Sequence, residues 1–206
     1  ARDAATHWDA IAARQRPVDI VEEMMAITRA VVLRALLGAD LGPFASRVDD
    51  AWTVMNEHIG ESFWSLGLTD GLPTPRQRRF HRARAVLQGA VDYLIAERRR
   101  HRLESADLLS MLMSARDEET GDAMTDEQLR VEVTTFLLAG QETTSLALTW
   151  TWYLLSQHPD VQLRLEREID AAVGGRAPAF EDLPALPYAR MVIDESMRLY
   201  PPAWGF

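Results

Sequence analysis

The stretch from Val131 to Leu155 places the strongest constraint on the fold, because it is apolar on almost every face of the long helix that it predicts. A helix that is apolar on all sides is stable in water only when neighbouring helices cover it. Glu132, Gln141 and Glu142 interrupt the stretch, whereas a membrane span requires about 18 to 20 consecutive apolar residues. We therefore predict a long central helix that is buried on all sides within a helical domain.

The middle of this stretch, AGQETT at residues 139–144, departs from the composition of a packed helix. At about 100° per residue, Ala139 and Thr143 lie one turn apart on one face, with Gly140 beside them. Small side chains at this place let a flat ligand approach the helix backbone. The Thr143 hydroxyl can then bond to such a ligand, or to the carbonyl four residues earlier. Glu142 is a candidate proton source if burial raises its pKa.

The residue types alone leave two interpretations of this segment open. In the first, Ala and Gly accommodate the crossing of another helix, and the two threonines fill space. In the second, the segment is a ligand site, since a Gly inside a helix costs about 1 kcal/mol relative to Ala. Local departures of this kind are expected mainly at functional or strained positions.

Composition excludes several classes of function. The 206 residues are 47% hydrophobic and 26% charged, which predicts one sizeable domain or a large part of one. The net charge of −9 argues against a general nucleic-acid binder. The chain has no Lys, which excludes a phosphate-loop lysine and Schiff-base chemistry. It also has no Cys, which excludes a disulfide framework, a thiol nucleophile and a cysteine metal site within this sequence.

Hydrophobic periodicity and capping signals predict eight helices. Their predicted ranges are 1–16, 20–37, 45–64, 76–101, 105–115, 126–157, 160–173 and 188–199. Thr125 and Gln128 form a capping box before the central helix, and Gly174 ends the helix that follows it. The stretch 67–75, rich in Gly and Pro, is predicted to be a mobile or substrate-facing loop. We find no strand pair, repeat or linker, so the predicted class is all-α, with residues 1–206 as a single domain segment.

The helix predicted at 76–101 has an apolar face and an Arg-rich face. Its inward residues are predicted to be Phe80, Leu87, Val91, Leu94 and Ile95. The arginines, including Arg98, Arg99 and Arg100, are predicted to form a solvated face, because surface charges are usually hydrated. The five histidines are scattered and are predicted to be surface residues rather than ligands. The chain also lacks the HExxH, GxSxG, GxGxxG and phosphate-loop motifs.

The last predicted helix contains Glu195 and Arg198, followed by Tyr200 and two prolines. Residues three apart share a helix face, so the two charged side chains can pair. Their neighbours Met191 and Leu199 are apolar, which predicts partial burial. A buried Arg requires bidentate or networked partners.

AGQETT at 139–144, followed some fifty residues later by DESMRLYPP at 194–202, resembles the cytochrome P450 monooxygenases. The signatures of that family are AGx(D/E)T(T/S) in a long central helix and ExxR before a turn that contains proline. The intervening QHPDVQLRLEREID and the earlier VDIVEEMMAITRAVVLRALLGAD agree with the resemblance. It implies the helical core of the cytochrome P450 fold, which is mixed α/β only in the full parent protein.

The resemblance implies specific roles for the residues of AGQETT. Ala139 and Gly140 would lie against the distal face of haem b, with Thr143 and Thr144 completing the cofactor contact. Thr143 would be the hydroxyl that holds the water network of oxygen activation. Glu142 would be the acid of the proton path.

The resemblance also implies a structural pair and a substrate pocket. Glu195 and Arg198 would lock the helix behind the haem. An apolar substrate would meet a pocket wall near the motif helix and after the proline turn. The residues expected in that wall are Leu138, Ala139, Ala203, Trp204 and Phe206.

This sequence departs from the family in one important respect. The family holds its iron through a Cys thiolate downstream of the ExxR helix, and this chain has no Cys. No metal ligand is therefore assigned. We expect the chain to be the central part of a longer monooxygenase, without the N-terminal part and the C-terminal haem-ligand part, and to be inactive by itself.

The resemblance further implies a small hydrophobic substrate, O2 and an electron donor. The donor would be a separate reductase, a ferredoxin-type protein or a fused reductase domain, and no nucleic-acid partner or membrane segment is expected in this stretch.

All the basic residues of the chain are Arg, which is typical of a G+C-rich bacterial source. Such a source favours a cytoplasmic location, although an upstream anchor is left open. The alternative function is a non-catalytic helical interaction module without a cofactor.

Overall fold

The computed structural model describes residues 2–13, 17–37, 44–64, 74–101 and 107–203, and within these ranges it is helical with no strand. The eight α-helices of these ranges are α1 (Arg2–Ala12), α2 (Ile20–Leu37), α3 (Ala45–Trp64), α4 (Pro75–His101), α5 (Leu108–Ser114), α6 (Asp126–Gln157), α7 (Pro159–Val173) and α8 (Pro187–Leu199). One isolated antiparallel bridge joins Arg116 to Ala123. The predicted all-α class is therefore confirmed.

Helix ends with an identifiable cap lie close to their predicted positions. The Thr125 amide donates to Gln128 Oε1 at 2.8 Å and the Gln128 amide donates to Thr125 Oγ1 at 3.3 Å, which is the predicted capping box. Gly174 follows α7 in the left-handed conformation at φ 59°. The sequence analysis missed the 3₁₀-helix Phe180–Ala185 in the loop before α8. Residues 67–73, most of the Gly- and Pro-rich loop predicted at 67–75, lie outside the described residues.

The chain divides into two compact units. Unit 1 comprises Ala1–Val31 and Ala139–Phe206, and unit 2 comprises Val32–Leu138. The prediction of a single domain segment stays a prediction. None of the helices in the described ranges combines the length and the hydropathy that a membrane crossing requires.

Unit 2 contains a hydrophobic core built from α3, α4, α5 and the first part of α6. The predicted inward residues Leu87, Val91, Leu94 and Ile95 are all buried there, while Phe80 is half-buried at the edge. The α6 residues that enter this core are Leu129, Val133 and Leu137. Their spacing of four residues gives α6 one apolar face toward unit 2's own helices.

Arg98 corrects the prediction of a solvated Arg face on α4. Its side chain is buried, with Nη1 and Nη2 donating to the two carboxylate oxygens of Asp107 at 2.9 and 2.7 Å. Asp107 also accepts from the Ser110 amide at 2.9 Å and so caps α5. Arg99, in contrast, is exposed and pairs with Asp126. Both arginines have a bidentate carboxylate partner, and they differ because Asp107 is buried whereas Asp126 is exposed. No local pattern on α4 predicts either partner.

In unit 1, a carboxylate of α7 caps the first turn of α8. Glu168 accepts from the backbone amides of Tyr188 and Ala189, both at 2.8 Å. The α8 N-cap residue, Leu186, provides no side-chain cap of its own. The Arg164 guanidinium lies 4.0 Å from the Tyr188 ring centroid, a cation–π contact between the same two helices. These contacts hold α8 against α7.

The prediction that the central helix is buried on all sides is wrong for the described residues. The α6 side chains Val131, Phe136, Trp152 and Tyr153 are 57%, 42%, 42% and 46% exposed. Each half of the 32-residue helix has a buried face, and its remaining faces are open. Hydropathy records the preference of a side chain for an apolar environment. It does not specify whether the chain's own helices or a ligand provides that environment.

We predict that the buried ion pair contributes strongly to the stability of unit 2. Asp107→Ala leaves the Arg98 charge buried without its carboxylate and removes the cap of α5, so the free energy of unfolding falls by about 3 to 5 kcal/mol. Urea unfolding followed by circular dichroism measures this change. The matched control is Asp126→Ala, which removes the carboxylate of an exposed pair. Equal and small effects of the two substitutions would contradict the assignment.

Candidate functional site

Four of the predicted cofactor residues lie together on an accessible strip of α6, which we call the notch: Ala139, Gly140, Thr143 and Thr144. Ala139, Thr143 and Thr144 are exposed and Gly140 is half-buried. The strip follows from the helix repeat, which places residues 139 and 143, and residues 140 and 144, one turn apart. It has no charged side chain, and the described residues leave it open. The notch therefore offers a ligand an accessible surface of small, uncharged side chains.

The Thr143 hydroxyl is already committed as a donor. Its Oγ1 donates to the carbonyl oxygen of Ala139 at 2.7 Å, which is one of the two arrangements expected from the sequence. A hydroxyl has one hydrogen and two lone pairs, so Thr143 in this arrangement presents an acceptor at the notch. Thr135 and Thr151 make the same bond four residues back, at 2.8 and 2.7 Å. The back-bond alone therefore does not distinguish a functional threonine.

Glu142 is half-buried beside the notch. Burial raises the pKa of its carboxyl above the ordinary value, because removal from water disfavours the charged form. This is the condition under which the sequence analysis assigned it as a proton source. A raised pKa favours the protonated form of a carboxyl, which is the form that can donate a proton.

The structure pairs Glu195 with Arg198 on α8. The Arg198 Nε and Nη2 atoms donate to the two Glu195 carboxylate oxygens, both at 2.7 Å. These bonds lower the pKa of Glu195 and raise the pKa of Arg198. The expected partial burial is wrong, because both side chains are exposed. The buried face of α8 at this position carries Ser196 instead.

An aromatic stack joins the two motif-bearing helices within unit 1, a contact that the sequence analysis did not identify. The Tyr200 ring, just after α8, stacks on Trp150 of α6 with centroids 4.3 Å apart and planes 9° apart. Tyr153 contacts the edges of both rings at centroid distances of 5.7 and 6.4 Å. The signal that the sequence offered was weak: an aromatic residue six positions after AGQETT and another two positions after Arg198.

The predicted substrate wall is only partly within the described residues. Leu138 is half-buried and packs against the core of unit 2, and Ala203 is exposed. Trp204 and Phe206 lie outside the described residues. The described ranges hold no cluster of three or more His, Asp or Glu residues that could bind a metal ion.

Comparison with known proteins places this arrangement in a family. The family model for cytochrome P450 matches residues 1–205. Cyclooctatin synthase of Streptomyces melanosporofaciens is 38% identical over 205 residues, which cover 98% of this chain and 44% of the relative. Cyclooctat-9-en-7-ol 5-monooxygenase of the same organism is 41% identical over 198 residues, which cover 92% of this chain and 42% of the relative.

The crystal structure of the cytochrome P450DA heme domain resembles this chain with a TM-score of 0.76 and 26% identity, covering 95% of this chain and 44% of that one. The chain thus spans less than half the length of this structure and of the two Streptomyces relatives. A bifunctional cytochrome P450/NADPH–P450 reductase of Bacillus subtilis is 37% identical over 142 residues, 68% of this chain and 14% of the relative. From its helical core and a family match over nearly every residue, we conclude that the chain belongs to the cytochrome P450 family.

Proposed function

We propose that this chain is the central segment of a haem-thiolate monooxygenase, which inserts one oxygen atom of O2 into a hydrophobic organic substrate. The observation that supports the proposal most directly is the open notch in the middle of α6. The names of two relatives, a 5-monooxygenase and pentalenene oxygenase of Streptomyces avermitilis, agree with this chemistry. The family implies a haem cofactor.

The residues of the notch fit the requirements of haem b. A planar, largely apolar macrocycle needs a contact surface without bulky side chains, and Ala139 and Gly140 would provide it. Thr143 and Thr144 would complete that surface. A haem held there supplies the activation of O2 and the transfer of an oxygen atom to the substrate. The 206 residues contain no Cys, so we propose that the thiolate ligand comes from the rest of a longer protein.

Glu142 and Thr143 would have different roles in proton transfer at the notch. Thr143 already donates its hydrogen to the Ala139 carbonyl, so its oxygen can hold a water molecule by accepting one of that molecule's hydrogens. Glu142 lies next in the chain and has a raised pKa, so it can hold a proton for delivery. We propose that Thr143 orients the water and that Glu142 supplies the proton.

We propose a structural role for the elements around α8. The bidentate pair of Glu195 with Arg198 would fix the outward face of α8. The stack of Tyr200 on Trp150 would fix its end against the motif helix. Leu138, with Ala139 and the residues after the proline turn (Ala203, Trp204 and Phe206), would form the wall of the substrate pocket.

The substrate and the electron donor are proposed from the relatives. Two of them are named for cyclooctat-9-en-7-ol and pentalenene, so we propose an unsaturated hydrocarbon or a simple alcohol of one as the substrate. Several relatives are fused to a reductase. We therefore propose a reductase or ferredoxin-type donor, either fused or separate.

The proposed function is tested on the full-length protein that carries this segment. After reduction and exposure to carbon monoxide, it should show the red-shifted absorption band of a haem with a thiolate ligand. Absence of the band from protein that is folded and supplied with haem would overturn the proposal. A band in the protein without any oxygenated product from unsaturated hydrocarbons would instead overturn the substrate class.

Replacement of Thr143 separates its proposed role from packing. In Thr143→Ala, loss of the acceptor should divert electrons from product to hydrogen peroxide, with the peroxide fraction raised about tenfold or more, since positioned proton-transfer groups contribute about 10²- to 10⁴-fold. Product and peroxide per electron donor consumed measure the effect. Thr135→Ala is the matched control, because Thr135 is an exposed α6 threonine with the same back-bond. Equal coupling in the two variants would reduce Thr143 to a packing residue.

Glu142→Gln tests the burial of the acid through the pH dependence of stability. The folded-state pKa of Glu142 lies above its unfolded value, so its contribution to stability is present below the unfolded pKa and is lost as pH rises through the folded pKa. Gln has no carboxyl that can ionise, so the variant does not lose this stability as pH rises. The midpoint of thermal unfolding of the Gln variant, measured relative to that of the unmutated protein, should therefore be higher at pH 8 than at pH 4. The exposed Glu132→Gln on the same helix is the control, and a gain that is identical in both variants would contradict the assignment.

A further inference from the structure

The face of α6 opposite the notch carries a buried line of polar residues, which we call the polar stripe: Gln141, Ser145 and Thr149. They are 1%, 1% and 9% exposed, and they follow one another at intervals of four residues. Gln141 lies about 200° around the helix from Ala139. The stripe is therefore on the inner side of unit 1 while the notch is on its outer side. Polar residues at such buried positions are unusual in a helix otherwise rich in Leu, Ala and Trp.

Gln141 is the member of the stripe that reaches another helix. Its Nε2 lies 3.5 Å from the Met25 carbonyl oxygen of α2, a long hydrogen bond. The same carbonyl accepts from the Thr28 hydroxyl at 3.2 Å, so polar groups of α2 face this part of the stripe. The Gln141 Oε1 atom is buried and has no hydrogen-bond partner among the described residues.

Stability alone does not account for a glutamine at this position. A buried acceptor without a partner carries a desolvation penalty, while the bond made by Nε2 is long and weak. Methionine has nearly the same length and would fill the same space without that penalty. What the amide adds is a directional contact, because a hydrogen bond depends on the angle between donor and acceptor, whereas the gain from apolar burial depends mainly on the area buried.

Gln141 lies in the turn of α6 that also carries Glu142 and Thr143. It lies between Gly140, which weakens the intrinsic helix preference of this turn, and the proton-holding Glu142. Glu142 and Thr143 follow it in the same turn, so a rotation of this turn about the helix axis would point their side chains away from a ligand bound at the notch. Gln141 is directly adjacent to Glu142 in sequence and bonds to a residue outside α6.

We infer that Gln141 is a positioning residue, whose buried amide fixes the rotation of the α6 turn that carries Glu142 and Thr143. The inference rests on the proposed function for its effect on coupling, but the tether itself is a property of α2 and α6. It assigns a role to the position that the family signature leaves variable. Ser145 extends the stripe, donating its hydroxyl to the Glu142 carbonyl oxygen at 2.8 Å.

The test compares Gln141→Met with the control Gln157→Met in the full-length protein. Gln157 is the last residue of α6 and is exposed. Gln141→Met should leave the midpoint of thermal unfolding unchanged or raised. It should nevertheless increase the peroxide fraction and the amide hydrogen exchange of residues 140–145 by about two- to tenfold, the range that corresponds to one hydrogen bond. Gln157→Met should change neither quantity.

Three outcomes would overturn the inference. Coupling and local exchange equal to those of the parent would show that the amide has no directing role. A lowered midpoint with faster exchange throughout the chain would make Gln141 an ordinary core residue. Faster local exchange with unchanged coupling, in a protein that has the carbon monoxide band, would show that the tether does not position the acid. If the unmutated protein lacks the band, the proposed function fails separately, and the exchange measurement still tests the tether.

Discussion

The unequal cover of α6 is the constraint on which the rest of this structure depends. An apolar helix in water gains stability from every face that it buries, and in this chain α6 buries only part of its circumference. Its first part contributes Leu129, Val133 and Leu137 to one core, while its second part buries the polar stripe. The notch stays accessible on a remaining face of α6, where Ala139 and Gly140 have little or no side chain.

Contacts at both ends of α8 hold this helix against its neighbours in unit 1. Glu168 of α7 bonds the first amides of α8, and Tyr200 stacks on Trp150 at the other end. One end is therefore fixed by charge-assisted hydrogen bonds and the other by aromatic packing. The exposed pair of Glu195 and Arg198 contributes little to stability by itself, because water screens exposed ion pairs. Its geometry is nevertheless well defined by two parallel hydrogen bonds.

Local patterns in the sequence were sufficient for the helices, for the caps and for the placement of Ala139 and Thr143 on one face of α6. Periodicity and caps depend on residues three or four apart, so Thr125 and Gln128 could be paired without any tertiary information. The burial of Arg98, the capping of α8 by Glu168 and the stack on Trp150 join residues distant along the chain. No residue pattern within one helix determines such partners. The expectation of a fully buried α6 failed for a related reason, since hydropathy gives a preference and not the identity of the covering surface.

The central claim is that the notch exists to seat a haem, and a crystal structure of the haem-loaded full-length protein tests it most directly. The account predicts that the macrocycle lies in van der Waals contact, within about 4 Å, of Ala139 and Gly140. It also predicts that the Thr143 hydroxyl and the Glu142 carboxyl lie on the oxygen-binding side. A haem bound elsewhere, with protein side chains packed over Ala139 and Thr143, would contradict the account.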